Sequence, residues 1–211
     1  MWSWPLAQLL SLLKIVVKPI GYNLRIILMR GIRNIILIIG MLMVSGFNHG
    51  QIGDNTPSKI KVTFLYNFTR FIEWPEEYKE GNFIIGVVGD TPLYGELLAM
   101  KENMEKDNKT FVTKGNQPIS VLKYLSYKAL GKCHIVFVSK NCSNQLSSIV
   151  EKTTAHHTLL VTEKFDLLEN GAGINFVINE NKIGFELNRT QLIKKGLSVS
   201  NNLSNYATRV I

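Results

Sequence analysis

The stretch FLYNFTRFIEWP, residues 64–75, decides the fold of the chain. At helical spacing its apolar members share one side of a helix: Phe64, Phe68, Phe71 and Ile72. The other side carries Asn67, Arg70, Glu73 and Trp74. Because Pro75 disfavours helical geometry at the residue before it, the helix should end at about Glu73. The stretch therefore supplies the first apolar face of a folded domain.

Thr56-Pro57 predicts the start of this helix, with Thr56 as N-cap and Pro57 at the first helical position. Strands and helices then alternate. The predicted strands are 83–88, 119–125, 134–139 and 157–163, and the predicted helices between or after them are 92–104, 143–151 and FDLLENG, which stops at Gly171. This rhythm predicts parallel pairing with right-handed crossovers.

The rhythm changes at GINFVINENKIGFEL, residues 173–187, where two apolar runs flank Asn179-Glu180-Asn181. This pattern predicts a hairpin. A helix follows from Asn188 to Lys195, and residues 197–211 add a short extended piece and a last helix. The predicted fold is a single three-layer α/β domain, with a mostly parallel central sheet, an antiparallel C-terminal hairpin and helices on both faces.

The N-terminal part has the plan of a secretory signal. Residues 35–44, IILIIGMLMV, follow Arg30 and Arg33 and precede Ser45-Gly46. We interpret residues 1–50 as a leader with a signal peptide, of ordinary length if translation starts at Met29, and residues 57–211 as the domain. The alternative is an uncleaved anchor, but the charge-free run 34–47 is about two-thirds of the roughly 20 residues that span a bilayer. We therefore expect an exported protein with no membrane span after cleavage.

Charge argues against nucleic acid as a partner. The formal net charge is +8, but residues 1–50 hold five basic residues and no acid, which leaves +3 for the remainder. The remainder shows no basic stripe with interleaved aromatic residues. We expect no binding to nucleic acid.

Asp90 and Thr91 follow the first predicted strand, at the end where open α/β sheets usually bind ligands. One interpretation makes them a ligand site at the start of the next helix. The other makes Asp90 or Thr91 an N-cap, with Pro92 at the first helical position. A nucleotide is disfavoured because the turn lacks the glycine spacing of a phosphate loop.

The sequence shows no catalytic constellation. His156 and His157 would point to opposite faces of an extended segment, and no Cys or carboxylate stands at helical ligand spacing. No serine lies in a Gly-x-Ser-x-Gly setting. We predict a protein without enzymatic activity, metal or cofactor.

Cys133 and Cys142 are the two cysteines of the chain. A strand over 133–138 would carry the chain about 16 Å from Cys133, at roughly 3.3 Å per residue. The remaining residues could hardly return within the roughly 7 Å that a disulfide allows. We expect no disulfide within the chain, a buried Cys133 and a half-exposed Cys142. An intermolecular bridge through Cys142 is the alternative.

Apolar residues concentrate around the hairpin and the helix after it: Phe176, Phe185, Leu187, Leu192, Leu197 and Val199. Most of them should lie in the core. Any that stay exposed next to an antiparallel edge would form a patch suited to a protein partner.

Seven phrases, in this order, resemble the YfiR family of small exported proteins. They are FLYNFTRFIEWP, FIIGVVGDTPLYGELL, QPISVLKYL, CHIVFVS, LLVTE, GAGINFVINENKIGFELN and KKGLSVSNNL. The resemblance covers about residues 58–211. It implies a non-enzymatic periplasmic regulator that binds the periplasmic sensor region of a membrane-bound diguanylate cyclase and holds it inactive, which lowers cyclic-di-GMP and biofilm formation.

The resemblance also implies where the partner binds. The family's contact region falls on FELN and the helix after it, so Glu186, Leu192 and Val199 are the expected contact residues. It implies a homodimer, and redox or envelope stress as the releasing stimulus. Redox-sensing members have more cysteines than this chain, which argues against disulfide-gated control. The alternative function is a periplasmic small-molecule sensor that a separate kinase or cyclase reads.

Overall fold

The computed structural model describes residues 56–211, so the predicted signal peptide and the start at Met29 lie outside the described residues. The α-helices are α1 (Thr56–Phe71), α2 (Pro92–Lys106), α3 (Leu146–Lys152), α4 (Arg189–Lys194) and α5 (Asn201–Tyr206). Short 3-10 helices cover Glu76–Tyr78, Tyr127–Ala129 and Lys140–Gln145.

Nine strands are described. They are β1 (Ile72–Glu73), β2 (Phe83–Val88), β3 (Ile119–Tyr124), β4 (Ile135–Val138), β5 (Leu159–Thr162), β6 (Ile174–Asn179), β7 (Lys182–Leu187), β8 (Ser198–Val199) and β9 (Arg209–Val210). Strands β2, β4 and β5 are runs of Val, Ile, Leu and Phe with little polar interruption, as expected of strands covered on both faces.

The seven-stranded central sheet has the order β3-β2-β4-β5-β6-β7-β9. Strands β2 to β6 pair in parallel, in the 2-1-3-4-5 order of doubly wound sheets. Strand β7 pairs antiparallel with β6, and β9 pairs parallel with β7. A separate antiparallel ribbon joins β1 to β8. The predicted fold class is confirmed.

The larger core lies between the sheet and helices α1 and α2. At its centre Phe68 stacks on Phe176 at 6.1 Å between ring centroids and meets Phe185 edge to face at 5.3 Å. The smaller core, on the other face, holds Leu146 and Ile149 of α3 against β4 and β5. Helices therefore cover both faces of the sheet. The first helix, α1, packs on β6 and β7, the strands of the C-terminal hairpin.

The hairpin turn is tighter than its three polar residues suggested. Asn179 and Lys182 still pair, so the loop consists of Glu180 and Asn181 alone. Both have a positive φ, 48° and 62°. This conformation fits the right-handed twist of the flanking strands, and asparagine tolerates it well.

Two local predictions are wrong, and one strand was missed. Helix α1 ends at Phe71 and not near Glu73, because Ile72 and Glu73 pair with Val199 and Ser198 in the β1-β8 ribbon. The segment FDLLENG forms turns and no helix. Strand β9 was not predicted, since residues 197–211 showed only an extended piece and a helix.

Trp74 also differs from its predicted position on the polar side of the first helix. It is buried beyond the end of α1, and its ring meets Phe83 edge to face at 4.8 Å. Because the chain has already left the helix at Phe71, helical spacing no longer decides which way Trp74 points.

Candidate functional site

The carboxyl edge of the parallel sheet holds the predicted ligand residues. The Asp90 carboxylate accepts a hydrogen bond from Lys123 Nζ at 2.7 Å, and this bond lowers the pKa of Asp90. Thr91 caps α2, since its Oγ1 accepts from Leu93 N at 3.4 Å and Pro92 is the first helical residue. The helix-cap interpretation therefore accounts for Thr91, and Asp90 forms a surface ion pair.

Gly89 shows how tightly this edge is packed. Its φ is +96°, and a Cβ atom here would lie 2.2 Å from Ser139 Oγ and 2.6 Å from Cys142 Sγ. The turns after β2 and β4 therefore touch through a glycine. Next to them Lys61 Nζ of α1 binds the Glu163 carboxylate at 2.6 Å, in a largely buried ion pair.

Two clefts open at the opposite, amino edge of the sheet. The first has a volume of about 330 Å³, between the end of α1, the start of β2 and the loop before β3. The second, about 470 Å³, lies beside the β1-β8 ribbon. Arg70, Glu73 and Lys114 line both, so the two clefts are contiguous.

The first cleft combines an apolar floor with positive charge. Trp74 and Phe83 contribute aromatic surface. Arg70, Lys79 and Lys114 line it together with one acidic residue, Glu73, and the Lys79 ammonium is paired with Glu76 at 2.6 Å. A cleft of this composition suits a small anion with an apolar body, because charged groups orient such a ligand and ring surface buries it.

Two histidines stabilise the same edge. His134 is buried: Ile84 N donates to its Nδ1 at 2.9 Å, and its Nε2 lies 2.8 Å from the Tyr78 carbonyl oxygen. Nε2 therefore carries the proton, and burial lowers the pKa of His134. The indole of Trp74 donates to the carbonyl of His157 at 2.9 Å.

Both cysteines are free and buried. Cys133 lies 3.7 Å from Tyr124 Oη; burial raises the pKa of its thiol, and that of Tyr124 rises to about 12. The expectation of a half-exposed Cys142 is wrong, because Cys142 lies beneath the Gly89 turn and is only 8% exposed. An intermolecular bridge through Cys142 would require this turn to open.

The three predicted partner-contact residues lie in different environments. Glu186 on β7 accepts from Arg209 Nε at 2.9 Å and from Asn175 Nδ2 at 3.4 Å. Leu192 is 1% exposed in the larger core, so its side chain supports the surface from beneath. Val199 is half-buried in β8, opposite Ile72. Leu192 and Val199 both pack in the larger core, whereas Glu186 takes part in polar contacts at the sheet edge.

Sequence reasoning missed the exposed apolar residues near them: Ile193, Tyr206, Val210 and Ile211. Ile193 directly follows the buried Leu192, so the helical pattern contained two apolar neighbours without deciding which faces solvent. Val210 and Ile211 lie on or just after the unpredicted β9. Arg209, the partner of Glu186, was missed for the same reason.

Fold and site together define an α/β domain with a tightly packed turn at the carboxyl edge, two clefts at the amino edge and several exposed apolar residues near its C-terminus. Within residues 56–211 no helix is long and apolar enough to cross a membrane. The sequence profile of the YfiR/HmsC-like family matches residues 58–208. The chain belongs to the YfiR/HmsC-like family, as the resemblance predicted. A search of curated proteins found no match.

Two solved structures are similar at low identity. One is the ABC domain in complex with L-Trp from Streptococcus pneumonia, at 10% identity and a TM-score of 0.48. The other is a conserved domain protein from Vibrio cholerae O1 biovar El Tor, at 11% identity and a TM-score of 0.47. Each match covers 74% of this chain and 60% of the other chain, so the chain spans about three fifths of their length.

Proposed function

We propose that the protein is an exported, non-enzymatic regulator that binds the periplasmic sensor region of a membrane-bound diguanylate cyclase, or of a similar receptor, and holds it inactive. The observation that carries this proposal is the family match over residues 58–208. In this mechanism the bound domain masks a surface of the receptor. A stimulus loosens the contact, and cytoplasmic cyclic-di-GMP rises.

The contact surface that we propose lies near the C-terminus and consists of Glu186, Val199 and the exposed apolar residues Ile193, Tyr206, Val210 and Ile211. We call it the C-terminal surface. Arg189 N donates to the Ile211 carbonyl at 2.8 Å, and Ile193 lies one helical turn after Arg189 on the same side of α4. Ile211 therefore lies beside the first residue of α4, the helix that carries Ile193.

This surface has the composition of a docking site. Ile193 is 64% exposed although it is a large apolar residue. Glu186 and Arg209 form an ion pair at its edge, which supplies polar groups that a partner could meet at a rim. Apolar side chains of this kind gain free energy when a partner removes them from water.

Ile193→Ser tests the surface in cells. We expect the variant to fold normally, because the side chain is mostly exposed, and to raise cyclic-di-GMP towards the level of a strain lacking the gene. Leu125→Ser is the matched control. Leu125 is 79% exposed and follows β3, the edge strand at the opposite end of the sheet from β9. Cyclic-di-GMP is measured in extracts, and variant abundance by immunoblot.

Two outcomes would contradict the proposal. If deletion of the gene leaves cyclic-di-GMP unchanged, the inhibitory role is wrong. If deletion raises it but Ile193→Ser and Leu125→Ser both behave as wild type, the C-terminal surface is wrong and the role stands. We also propose a homodimer, on the resemblance alone; a monomeric mass in sedimentation equilibrium would refute it.

The amino-edge clefts favour a second candidate function, a sensor of a small anionic molecule. Trp74 lines the first cleft and is the only tryptophan after residue 4, so its emission reports on the domain once the leader is removed. We expect benzoate, which has a ring, to change this emission more than inorganic phosphate. Arg70→Gln should weaken the response, and Asp90→Asn at the carboxyl edge should not. Equal responses in all three proteins would refute the site.

A further inference from the structure

The imidazole of His157 bridges two segments of the amino edge. Its Nδ1 lies 2.6 Å from the carbonyl oxygen of Lys195, at the end of α4. Its Nε2 lies 3.4 Å from a carboxylate oxygen of Glu77, in the 3-10 turn after Trp74. The side chain is 33% exposed, so solvent protons reach it.

The hydrogen-bond partners determine where the proton sits. A carbonyl oxygen only accepts, so Nδ1 must donate to Lys195 O. In the neutral ring Nε2 then carries a lone pair, which faces the negatively charged Glu77. Protonation turns Nε2 into a donor and replaces an unfavourable contact between two acceptors with an ion pair.

Neighbouring residues fix the position of the His157 imidazole. The backbone of His157 accepts from the Trp74 indole and donates to Tyr78 Oη at 3.3 Å. Gly196 has a φ of +67°, and a Cβ there would lie 2.7 Å from Nδ1. Any larger residue at 196 would displace the imidazole, so this glycine permits the bridge.

Glu77 is the acidic group that faces the ring. The other titratable groups around it belong to the 3-10 turn, to β4 with its preceding loop and to α4: Tyr78, His134, Lys132 and Lys195. The Tyr78 ring meets the His157 ring edge to face, with 5.0 Å between the ring centroids. The Lys132 ammonium lies over the Tyr78 ring, 3.9 Å from its centroid. The Lys195 ammonium turns away and donates to the Thr153 carbonyl at 2.6 Å.

The bridged segments lead directly into the β1-β8 ribbon. Glu77 follows β1 by four residues, and Lys195 precedes β8 by three. We propose that His157 is a pH-dependent latch: its protonation ties the 3-10 turn to the α4-β8 turn and stiffens the ribbon that walls the second cleft and carries Val199. The latch is a property of the domain itself. Only its use as an input to receptor release rests on the proposed function.

Hydrogen exchange on the purified domain tests the latch. The reporter is the Ser200 amide, which donates to the Phe71 carbonyl at 3.0 Å beside the ribbon. After correction for the pH dependence of intrinsic exchange, its protection should rise about two- to five-fold between pH 7.5 and pH 5.5, the range for a partly exposed ion pair. Glu77→Gln should abolish the rise, because it removes the charge and keeps the shape. His156→Gln, the matched control, should retain it.

An equal rise in wild type and Glu77→Gln would overturn the latch. A second measurement needs no variant: nitrogen chemical shifts of the wild-type imidazole should show the proton on Nδ1 at neutral pH. A proton on Nε2 instead would also overturn the proposal. Both results leave the receptor hypothesis untouched, so the two can fail separately.

Discussion

The two ends of the parallel strands differ in how much space they leave. At the carboxyl edge the turns after β2 and β4 meet at Gly89, Thr91 caps α2, and Asp90 is paired with Lys123. At the amino edge two contiguous clefts open, and Arg70 and Lys114 line both. At the usual ligand edge of an α/β sheet the turns are thus tightly packed around Gly89 in this domain, and the two clefts lie at the opposite edge.

The difference follows from the exit of the first helix. Helix α1 does not continue past Phe71. Instead Ile72 and Glu73 form the ribbon with β8, and Trp74 turns inward against Phe83. Ile72 and Glu73, which the sequence pattern assigned to the first helix, therefore form part of the ribbon beside the second cleft.

Trp74→Ala should have the largest effect on stability, because it disrupts the packing of the amino edge. The substitution removes a buried indole, so we expect a loss of about 3–5 kcal/mol in the free energy of unfolding. Trp74→Phe removes mainly the hydrogen bond to the His157 carbonyl and should cost about 1–3 kcal/mol. Urea unfolding followed by far-UV circular dichroism measures both. A loss below 1 kcal/mol for the alanine variant would show that Trp74 does not organise this edge.

Gly89→Ala tests the difference in packing between the carboxyl and amino edges. At φ +96°, with Ser139 Oγ where the Cβ would go, alanine should destabilise the domain by about 2–4 kcal/mol. Gly115→Ala in the first cleft is the matched variant, because its Cβ would meet only Thr113 Oγ1 at 3.9 Å. It should stay within about 0.5 kcal/mol of wild type. Similar losses at both positions, measured by thermal unfolding, would contradict this difference in packing.

The pH dependence of stability should report on His134, the buried histidine of the amino edge. Burial lowers the pKa of His134, so the unfolded chain takes up this proton before the folded chain does. The stability that the neutral ring contributes is therefore complete above the ordinary histidine pKa and falls as pH drops towards the folded value.

Urea unfolding between pH 8 and pH 5 should be carried out with Glu77→Gln, which silences the latch. In this variant stability should decrease on acidification, and His134→Gln added to it should flatten the decrease. If the decrease persists without His134, another group is responsible for it.

Much of the fold could be predicted because its signals are local. The run FIIGVV became β2 with its predicted bounds, and Thr91-Pro92 began α2. Asn188 and Gly196 bounded a helix as predicted, since a side-chain cap and a left-handed glycine act within a few residues. The family could also be recognised from phrases spread along the chain.

The candidate sites could be predicted only in part. Arg70 was placed on the polar side of the first helix, but nothing local indicated that Lys79 and Lys114 would join it around a cleft. The helical pattern at Leu192 and Ile193 did not decide which side chain is buried, because both are apolar. The closeness of His157 to Glu77 depends on segments 80 residues apart.

The sequence by itself determined the α/β alternation, the hairpin, the caps and the family, because each is written in neighbouring residues or in ordered phrases. Tertiary structure alone decided β1, β9 and the pairing of the predicted extended piece that forms β8, since two-residue strands have no periodicity and exist only through partners far along the chain. By ending α1 at Phe71, the β1-β8 pairing also decided where FLYNFTRFIEWP stops being a helix and where the clefts open.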